Sequence, residues 1–181
     1  MAKTFFIGGI YGVGKSTLCL QISKTLGIPF YNASDLISIE VDEDYVESKH
    51  VKDKVINQKV LVEKVKKILK KDENIILAGH FCITNNNNEV ERLPEFVFHE
   101  INISTILLLV EDADVIYNRL LQRDKKSYNK KVLEEFQNEE IIYSYKIANE
   151  NNIKYILIDL SKYDNIQNVL DKMIEVIGGN V

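Results

Sequence analysis

The stretch Gly9-Ile10-Tyr11-Gly12-Val13-Gly14-Lys15-Ser16 matches the pattern G-x-x-x-x-G-K-[ST] at every fixed position. This pattern is specific where it joins a strand to a helix. Residues 3–8 form a short apolar run typical of a buried strand, and residues 16–24 carry apolar side chains at helical spacing. Both flanks therefore favour a phosphate-binding loop over an ordinary glycine-rich turn with a solvated lysine.

The chemistry of phosphate binding explains the residue type at each fixed position of this loop. Backbone N–H groups must approach a polyphosphate closely, and side chains at Gly9, Gly12 and Gly14 would obstruct that approach. The helix that follows offers unpaired N–H groups and the positive end of its dipole to an anion. Lys15 can then reach a bound phosphate and the Ser16 hydroxyl can ligate Mg²⁺.

Length and composition limit the class of protein. A chain of 181 residues suits one α/β domain, and its net charge of −4, from many charges of both signs, does not indicate a nucleic-acid-binding surface. Cys19 and Cys82 have neither metal-site spacing nor a disulfide pattern, which indicates free thiols in a reducing compartment. No signal-like N-terminus and no apolar run near the ~20 residues of a membrane helix are present, so we expect a soluble, cytoplasmic protein. The oligomeric state is not indicated.

Apolar runs alternate with helical periodicity along the chain. The predicted strands are residues 3–8, 28–31, 74–79, 104–110 and 154–159, and the main predicted helices are 16–24, 51–71, 132–149 and 165–177. This alternation predicts a doubly wound, five-stranded parallel sheet between helices, which is a three-layer α/β/α fold. Residues 82–92 contain four consecutive asparagines and predict an exposed loop.

Polar residues follow the predicted strands, at the edge where open α/β sheets bind ligands. Asp35 is a candidate general base or a carboxylate that supports Mg²⁺ through water. It equally suits the first turn of a helix capped by Ser34, where an acid complements the helix dipole. His80 could contact substrate or pack as a hydrogen-bonded histidine.

Arginine is scarce in this sequence, which makes each one informative. Arg92, Arg119 and Arg123 are the three arginines of the chain. Arg119 and Arg123 are four residues apart and so share one face of a predicted helix.

The order of these motifs resembles the nucleoside monophosphate kinases, most closely the archaeal-type adenylate kinases and uncharacterised small kinase relatives of the AAA type. The residues that carry the resemblance are Gly12-Val13-Gly14-Lys15-Ser16-Thr17, Ala33-Ser34-Asp35-Leu36, Gly79-His80-Phe81 with Leu93-Pro94, the R-x-x-x-R of Arg119 and Arg123, and Glu134-Glu135-Phe136-Gln137. Their order extends over nearly the whole chain.

The resemblance implies one P-loop kinase domain over residues 1–181, with an acceptor-binding helical insert at about 34–72 and a short lid at about 119–132. It implies MgATP as cofactor, with Arg119 near the adenine and Arg123 near the transferring phosphates. The implied nucleotide contacts are Gly9, Gly12, Val13, Gly14, Lys15, Ser16, Thr17 and Arg119, with Ser16 as metal ligand. The implied catalytic residues are Lys15, Asp35, Arg119 and Arg123, and the implied acceptor contacts are Asp35, His80 and Arg92.

Two departures from the resemblance concern the acceptor. Ala78 stands where such kinases often have an acidic residue, so Asp35 or Glu111 would have to support Mg²⁺. Residues 35–71 contain no arginine to grip a monophosphate. Arg92 or a lysine would have to replace it, and lysine offers a point charge rather than a bidentate fork.

The sequence thus predicts an ATP-dependent phosphotransferase that acts on a small acceptor, with a nucleoside monophosphate as the leading choice. One alternative is a kinase of a small-molecule or polynucleotide hydroxyl with Asp35 as base. Another is a nucleotide-dependent regulatory ATPase or switch.

Overall fold

A five-stranded parallel sheet forms the centre of the chain, in a computed structural model that describes residues 2–38, 52–71, 74–85, 87–125 and 127–179. The strands are β1 (Thr4–Gly8), β2 (Phe30–Asn32), β3 (Ile75–Ala78), β4 (Cys82–Thr84), β5 (Val90–Arg92), β6 (Ile103–Val110) and β7 (Lys154–Asp159). The sheet order is β2-β3-β1-β6-β7, and β4 pairs separately with β5. The predicted α/β fold with a five-stranded parallel sheet is confirmed.

Strand β1 lies in the middle of the sheet. It pairs in parallel with β3, where Thr4 is opposite Ile75, and with β6, where Gly8 is opposite Leu108. All five of its residues are buried, as expected of a parallel strand covered on both faces. The loop that follows β1 therefore emerges at the centre of the carboxyl edge, with β3 and β6 on either side.

Helices flank the sheet. They are α1 (Lys15–Leu26), α2 (Ala33–Ser38), α3 (Lys52–Leu69), α4 (Glu95–Glu100), α5 (Ala113–Asp124), α6 (Lys130–Glu150) and α7 (Ile166–Gly178), with a 3₁₀ turn at Leu160–Lys162. Helix α1 packs against α7, and α6 packs on β6, β7 and the β4–β5 pair. Gly27 ends α1 with φ of 68° and donates its N–H to the Ser23 carbonyl at 2.9 Å, the C-cap expected of glycine there.

The prediction of an exposed loop at residues 82–92 is wrong. Strands β4 and β5 form an antiparallel pair in which Cys82 is opposite Arg92, and Cys82 is fully buried. Asn85 makes the turn, because its side-chain oxygen accepts from the N–H groups of Asn87 and Glu89. The asparagines thus build a hairpin turn, which their capacity to bond their own backbone allows.

One helix start also differs from the prediction. Helix α2 begins at Ala33, so Ser34 lies inside its first turn and is not the cap. Helix α4 begins at Glu95, and Pro94 is its N-cap. The acidic stretch 40–47 lies outside the described residues, as does part of the predicted insert at 34–72.

Apolar contacts join the sheet to the hairpin and to α4. Phe81 stacks on Phe98 with centroids 4.7 Å apart and meets Phe6 edge-on at 4.9 Å. Cys19 and Cys82 are free thiols, and burial raises the pKa of each to about 12. Among the described helices, none combines the length and the apolar character that crossing a membrane requires.

Candidate active site at the phosphate loop

The glycines of the phosphate loop meet different demands. A Cβ on Gly9, where φ is 137°, would lie 2.6 Å from the Leu109 carbonyl oxygen. A Cβ on Gly12, where φ is 82°, would lie 2.9 Å from the Leu120 side chain. Gly14 has a φ of 110°, yet a Cβ there would meet nothing within 4 Å. Packing by the chain itself therefore fixes Gly9 and Gly12, whereas Gly14 is fixed by its backbone conformation and leaves open space at the start of α1.

The first turn of α1 is available to an anion. Gly14 is its N-cap and supplies no side-chain hydrogen bond, so the cap leaves the first N–H groups of the helix open. Lys15 bends back over the loop, where its Nζ donates to the carbonyls of Gly9 at 2.6 Å and Ile10 at 3.1 Å. Burial lowers the pKa of Lys15 to about 8, with the nearby Glu140 carboxylate opposing that shift. These groups suit the polyphosphate of a nucleotide.

A buried glutamate on α6 lies close to the phosphate loop. Glu140 is fully buried on α6, and its Oε1 accepts from the N–H groups of Phe81 at 2.8 Å and Cys82 at 2.9 Å. Its Oε2 is buried without a hydrogen-bond partner among the described residues. Burial raises the pKa of Glu140 to about 7, and the backbone of Cys82, the Lys15 ammonium and the backbones of Phe81 and Gly9 oppose that shift. Glu140 thus connects α6 to the start of β4 and interacts electrostatically with the cation of the loop.

His80 lies beside this glutamate, at the end of β3. Its Nδ1 is 3.8 Å from Glu140 Oε1, and its ring stacks on Phe136 with centroids 6.0 Å apart. Burial, together with the Lys15 ammonium, lowers the pKa of His80 to about 3. Nδ1 is buried although 31% of the side chain is exposed, and the imidazole, neutral at physiological pH, lines the cavity.

A chain of hydrogen bonds joins the predicted metal ligand to the predicted base. Ser16 Oγ donates to Asn32 Oδ1 at 3.0 Å, and Asn32 Nδ2 donates to Asp35 Oδ2 at 2.9 Å. Ser16 and Asn32 line a cavity of about 360 Å³ beside the phosphate loop, the end of β3 and Arg123, whereas Asp35 is exposed and does not line it. The lining residues are Tyr11, Gly12, Gly14, Lys15, Ser16, Thr17, Asn32, Ala33, Ser34, Ala78, Gly79, His80 and Arg123.

Two of the three arginines reach this site. Arg123 lines the cavity and makes a two-point ion pair with Asp124, at 2.5 and 2.8 Å. Arg119 donates to the Val13 carbonyl at 3.2 Å and to Glu111 at 3.2 Å. Arg92 does not line the cavity: it pairs with Glu139 at 3.0 and 3.1 Å.

The residues present fit a magnesium nucleotide. The Ser16 hydroxyl is at the mouth of the loop, and Asp35 is linked to it through Asn32. Glu111, the other carboxylate considered for Mg²⁺, is instead engaged by Arg119. Within the described ranges, no cluster of His, Cys, Asp and Glu side chains could hold a metal alone. A metal here would therefore depend on phosphate oxygens and water as further ligands.

Three residues of this site were not singled out by their sequence pattern. Glu140 could have been found, because it falls on the apolar face of α6 with Phe136, Tyr143 and Ile147 at helical spacing. Asn32 is the last residue of β2 and so lies at the carboxyl edge of the sheet, a position that favours ligand contact. Tyr11, at a variable position of the loop, packs its ring against Phe136 with centroids 5.2 Å apart and has no sequence signal of its own.

Comparison with known proteins agrees with this geometry. An adenylate kinase from Thermoplasma acidophilum is 24% identical over 179 residues, covering 94% of this chain and 97% of that protein. An adenylate kinase from Thermoplasma volcanium is 28% identical over 120 residues, which are 62% of this chain and only 64% of that relative's length. The crystal structure of shikimate kinase from Acinetobacter baumannii superposes with a TM-score of 0.65 at 13% identity, covering 99% of this chain and 95% of that one.

A family model described as an AAA domain, AAA_17, matches residues 8–137. This match includes the phosphate loop, the hairpin and both arginines of α5. The chain therefore belongs to the AAA_17 family of AAA domains, and its fold is that of the small P-loop kinases.

Proposed function

We propose that this kinase transfers the γ-phosphoryl group of MgATP to a nucleoside monophosphate. The observation that carries the proposal is that Lys15, Ser16 and Arg123 meet around one cavity at the start of α1. The two relatives named adenylate kinase support the choice of acceptor.

The chain's own groups supply position and charge in such a transfer. The N-terminus of α1 and Lys15 hold the β- and γ-phosphates, and Ser16 provides an oxygen to Mg²⁺. Bound Mg²⁺ neutralises phosphate charge, the Lewis-acid contribution of a metal in phosphoryl transfer. Arg123 faces the same cavity and would neutralise the charge that develops on the moving phosphoryl group, which is worth more in the transition state than in the ground state.

A hydroxyl acceptor is the second candidate, and one observation favours it. Asp35 accepts a hydrogen bond from Asn32, which lines the cavity and in turn accepts one from Ser16, the proposed metal ligand. A carboxylate at that place could take the proton that an attacking hydroxyl must lose. A monophosphate is already anionic near neutral pH and needs no such base.

An acceptor screen tests the proposal. ATP consumption is followed with a coupled ADP assay across nucleoside monophosphates and small hydroxyl acceptors, and products are identified by chromatography. A Lys15→Ala preparation, purified in parallel, measures contaminating activity. We expect diphosphate formation that depends on one or a few monophosphates. Slow hydrolysis independent of every acceptor would instead indicate a nucleotide-dependent switch.

A further inference from the structure

A second, larger cavity lies next to the phosphate loop. It has a volume of about 880 Å³ and is bounded on one side by Thr84, Asn85 and Asn88 of the hairpin and on another by residues 127–129, which precede α6. Its lining residues are Tyr11, Thr84, Asn85, Asn88, Arg123, Ser127, Tyr128, Asn129, Val132 and Leu133. Such a volume falls within the range of about 300 to 1,000 Å³ that small-molecule sites occupy.

The two cavities meet at shared side chains. Tyr11 and Arg123 line both of them. A molecule in the larger cavity would therefore have one end beside Lys15 and the start of α1, where a phosphoryl group is transferred under the proposed function. This continuity makes the larger cavity a place for the acceptor rather than a separate site.

The lining of the larger cavity is polar but almost uncharged. Among the described residues that line it, Arg123 is the one charged side chain, and it stands at the junction with the phosphate loop. The remaining polar groups are hydroxyls and amides, which donate and accept hydrogen bonds. Tyr11 and Tyr128 add an aromatic wall, with ring centroids 5.8 Å apart. This lining suits a neutral group that carries hydroxyls and a flat ring, with a single anionic end at Arg123.

We propose that this cavity binds the nucleoside part of the acceptor, with its phosphate-accepting end at Arg123. The inference rests on the proposed function and assigns acceptor recognition to Thr84, Asn85 and Asn88 of the hairpin and to residues 127–129. It places recognition outside the helical insert at about 34–72 that the family resemblance implies. The asparagine run then has two tasks: Asn85 builds the turn and Asn88 faces the acceptor.

Two substitutions remove cavity groups while preserving the backbone. Asn88 has a φ of 62°, a conformation that glycine adopts freely, so Asn88→Gly removes the amide without strain. Thr84→Val replaces the hydroxyl with a methyl group of similar size. Asn152→Gly is the matched control, because Asn152 has a φ of 54° in the turn before β7 and lies outside the cavity. Asn85 is left intact because its side chain shapes the hairpin.

Kinetics of the full chain give the first readout. Loss of one neutral hydrogen bond, about 1 kcal/mol, corresponds to a change of about fivefold in affinity. We expect each cavity variant to raise KM for the acceptor by about three- to tenfold and the double variant by more, with KM for ATP changed far less. Asn152→Gly should match the wild type in both constants. Wild-type acceptor KM in both cavity variants would overturn the proposal.

Ligand-observed NMR gives a readout that does not depend on turnover. Adenosine, other nucleosides and free ribose are tested as probes with a non-hydrolysable ATP analogue present. Nucleoside binding to the wild type that is lost in the double variant would support the proposal. Binding of ribose alone, or of no probe, to the wild type would overturn it. Failure of the proposed function would look different, since no acceptor would then support turnover even if nucleosides bind.

Discussion

Replacing Glu140 by glutamine tests the buried connection between α6 and the phosphate loop. Glutamine keeps a side-chain oxygen for the N–H groups of Phe81 and Cys82 and removes the ionisable proton. Burial raises the pKa of Glu140 from 4.5 to about 7 in the folded protein. The folded state therefore binds more protons than the unfolded state between these values, and the free energy of unfolding falls as pH rises through that window.

The magnitude follows from the displacement of the pKa. A pKa moved from 4.5 to about 7 corresponds to about 3 kcal/mol of stability that the wild type has below pH 4.5 and loses by about pH 8. Glu140→Gln has no such loss. We therefore expect the stability of the variant relative to the wild type to increase by about 2 to 3 kcal/mol between pH 5 and pH 7.5. Any difference in hydrogen-bond strength between glutamate and glutamine that does not depend on pH cancels, because only the change in relative stability between the two pH values is compared.

Urea unfolding followed by circular dichroism at pH 5, 6 and 7.5 measures the effect. Glu135→Gln is the control, since Glu135 is exposed on the same helix. We expect the control to follow the wild-type pH dependence. Parallel curves for Glu140→Gln and the wild type would refute the reasoning, because they would mean that Glu140 is already ionised at pH 5 without cost.

Four further predictions concern the site residues that the sequence predicts. Lys15→Ala should weaken ATP binding at least tenfold by calorimetry and abolish turnover, because the phosphates lose their cation; unchanged affinity would contradict the assignment of the loop. Arg123→Ala should lower kcat by about 10²- to 10³-fold, as loss of one transition-state donor does. Lys162→Ala is the control and should match the wild type, because the Lys162 side chain follows β7 and is 77% exposed. Equal kcat values in the two variants would exclude a lid role for Arg123. With a monophosphate acceptor, Asp35→Asn should cost less than about tenfold in kcat, and a loss of about 10²- to 10⁴-fold would indicate a hydroxyl acceptor. In the same series, Arg92→Ala should alter stability by about 1 kcal/mol or less rather than acceptor KM, since Glu139 holds that side chain.

The sheet and the phosphate loop could be predicted because both depend on local pattern. Continuous apolar runs identified β1, β3, β6 and β7, and the fixed spacing of the loop placed Lys15 and Ser16 at the start of α1. The hairpin could not be predicted, because β4 and β5 have three residues each and show no readable alternation. Its stability depends on a distant partner, since Glu140 binds backbone N–H groups 58 and 59 residues away.

The arginines show the same contrast between features that local sequence spacing predicts and contacts that form between distant parts of the chain. Helical spacing predicted that Arg119 and Arg123 share a face, and the structure brings both to the phosphate loop. The role predicted for Arg92 depended only on the scarcity of arginine in the sequence and on the family resemblance. Its actual partner is Glu139, 47 residues away on α6, and no local pattern indicates that pairing.

The reactivity of the two buried thiols can report local opening of the structure around each of them. With a pKa of about 12, about one Cys19 or Cys82 side chain in ten thousand is a thiolate at pH 8, so reaction with an electrophile requires exposure first. Cys19 lies on the helix that begins at the phosphate loop, and Cys82 lies on the hairpin. Alkylation rates at the two positions, read separately by mass spectrometry, would therefore follow nucleotide-site opening and hairpin opening in the unmodified chain, with no engineered label.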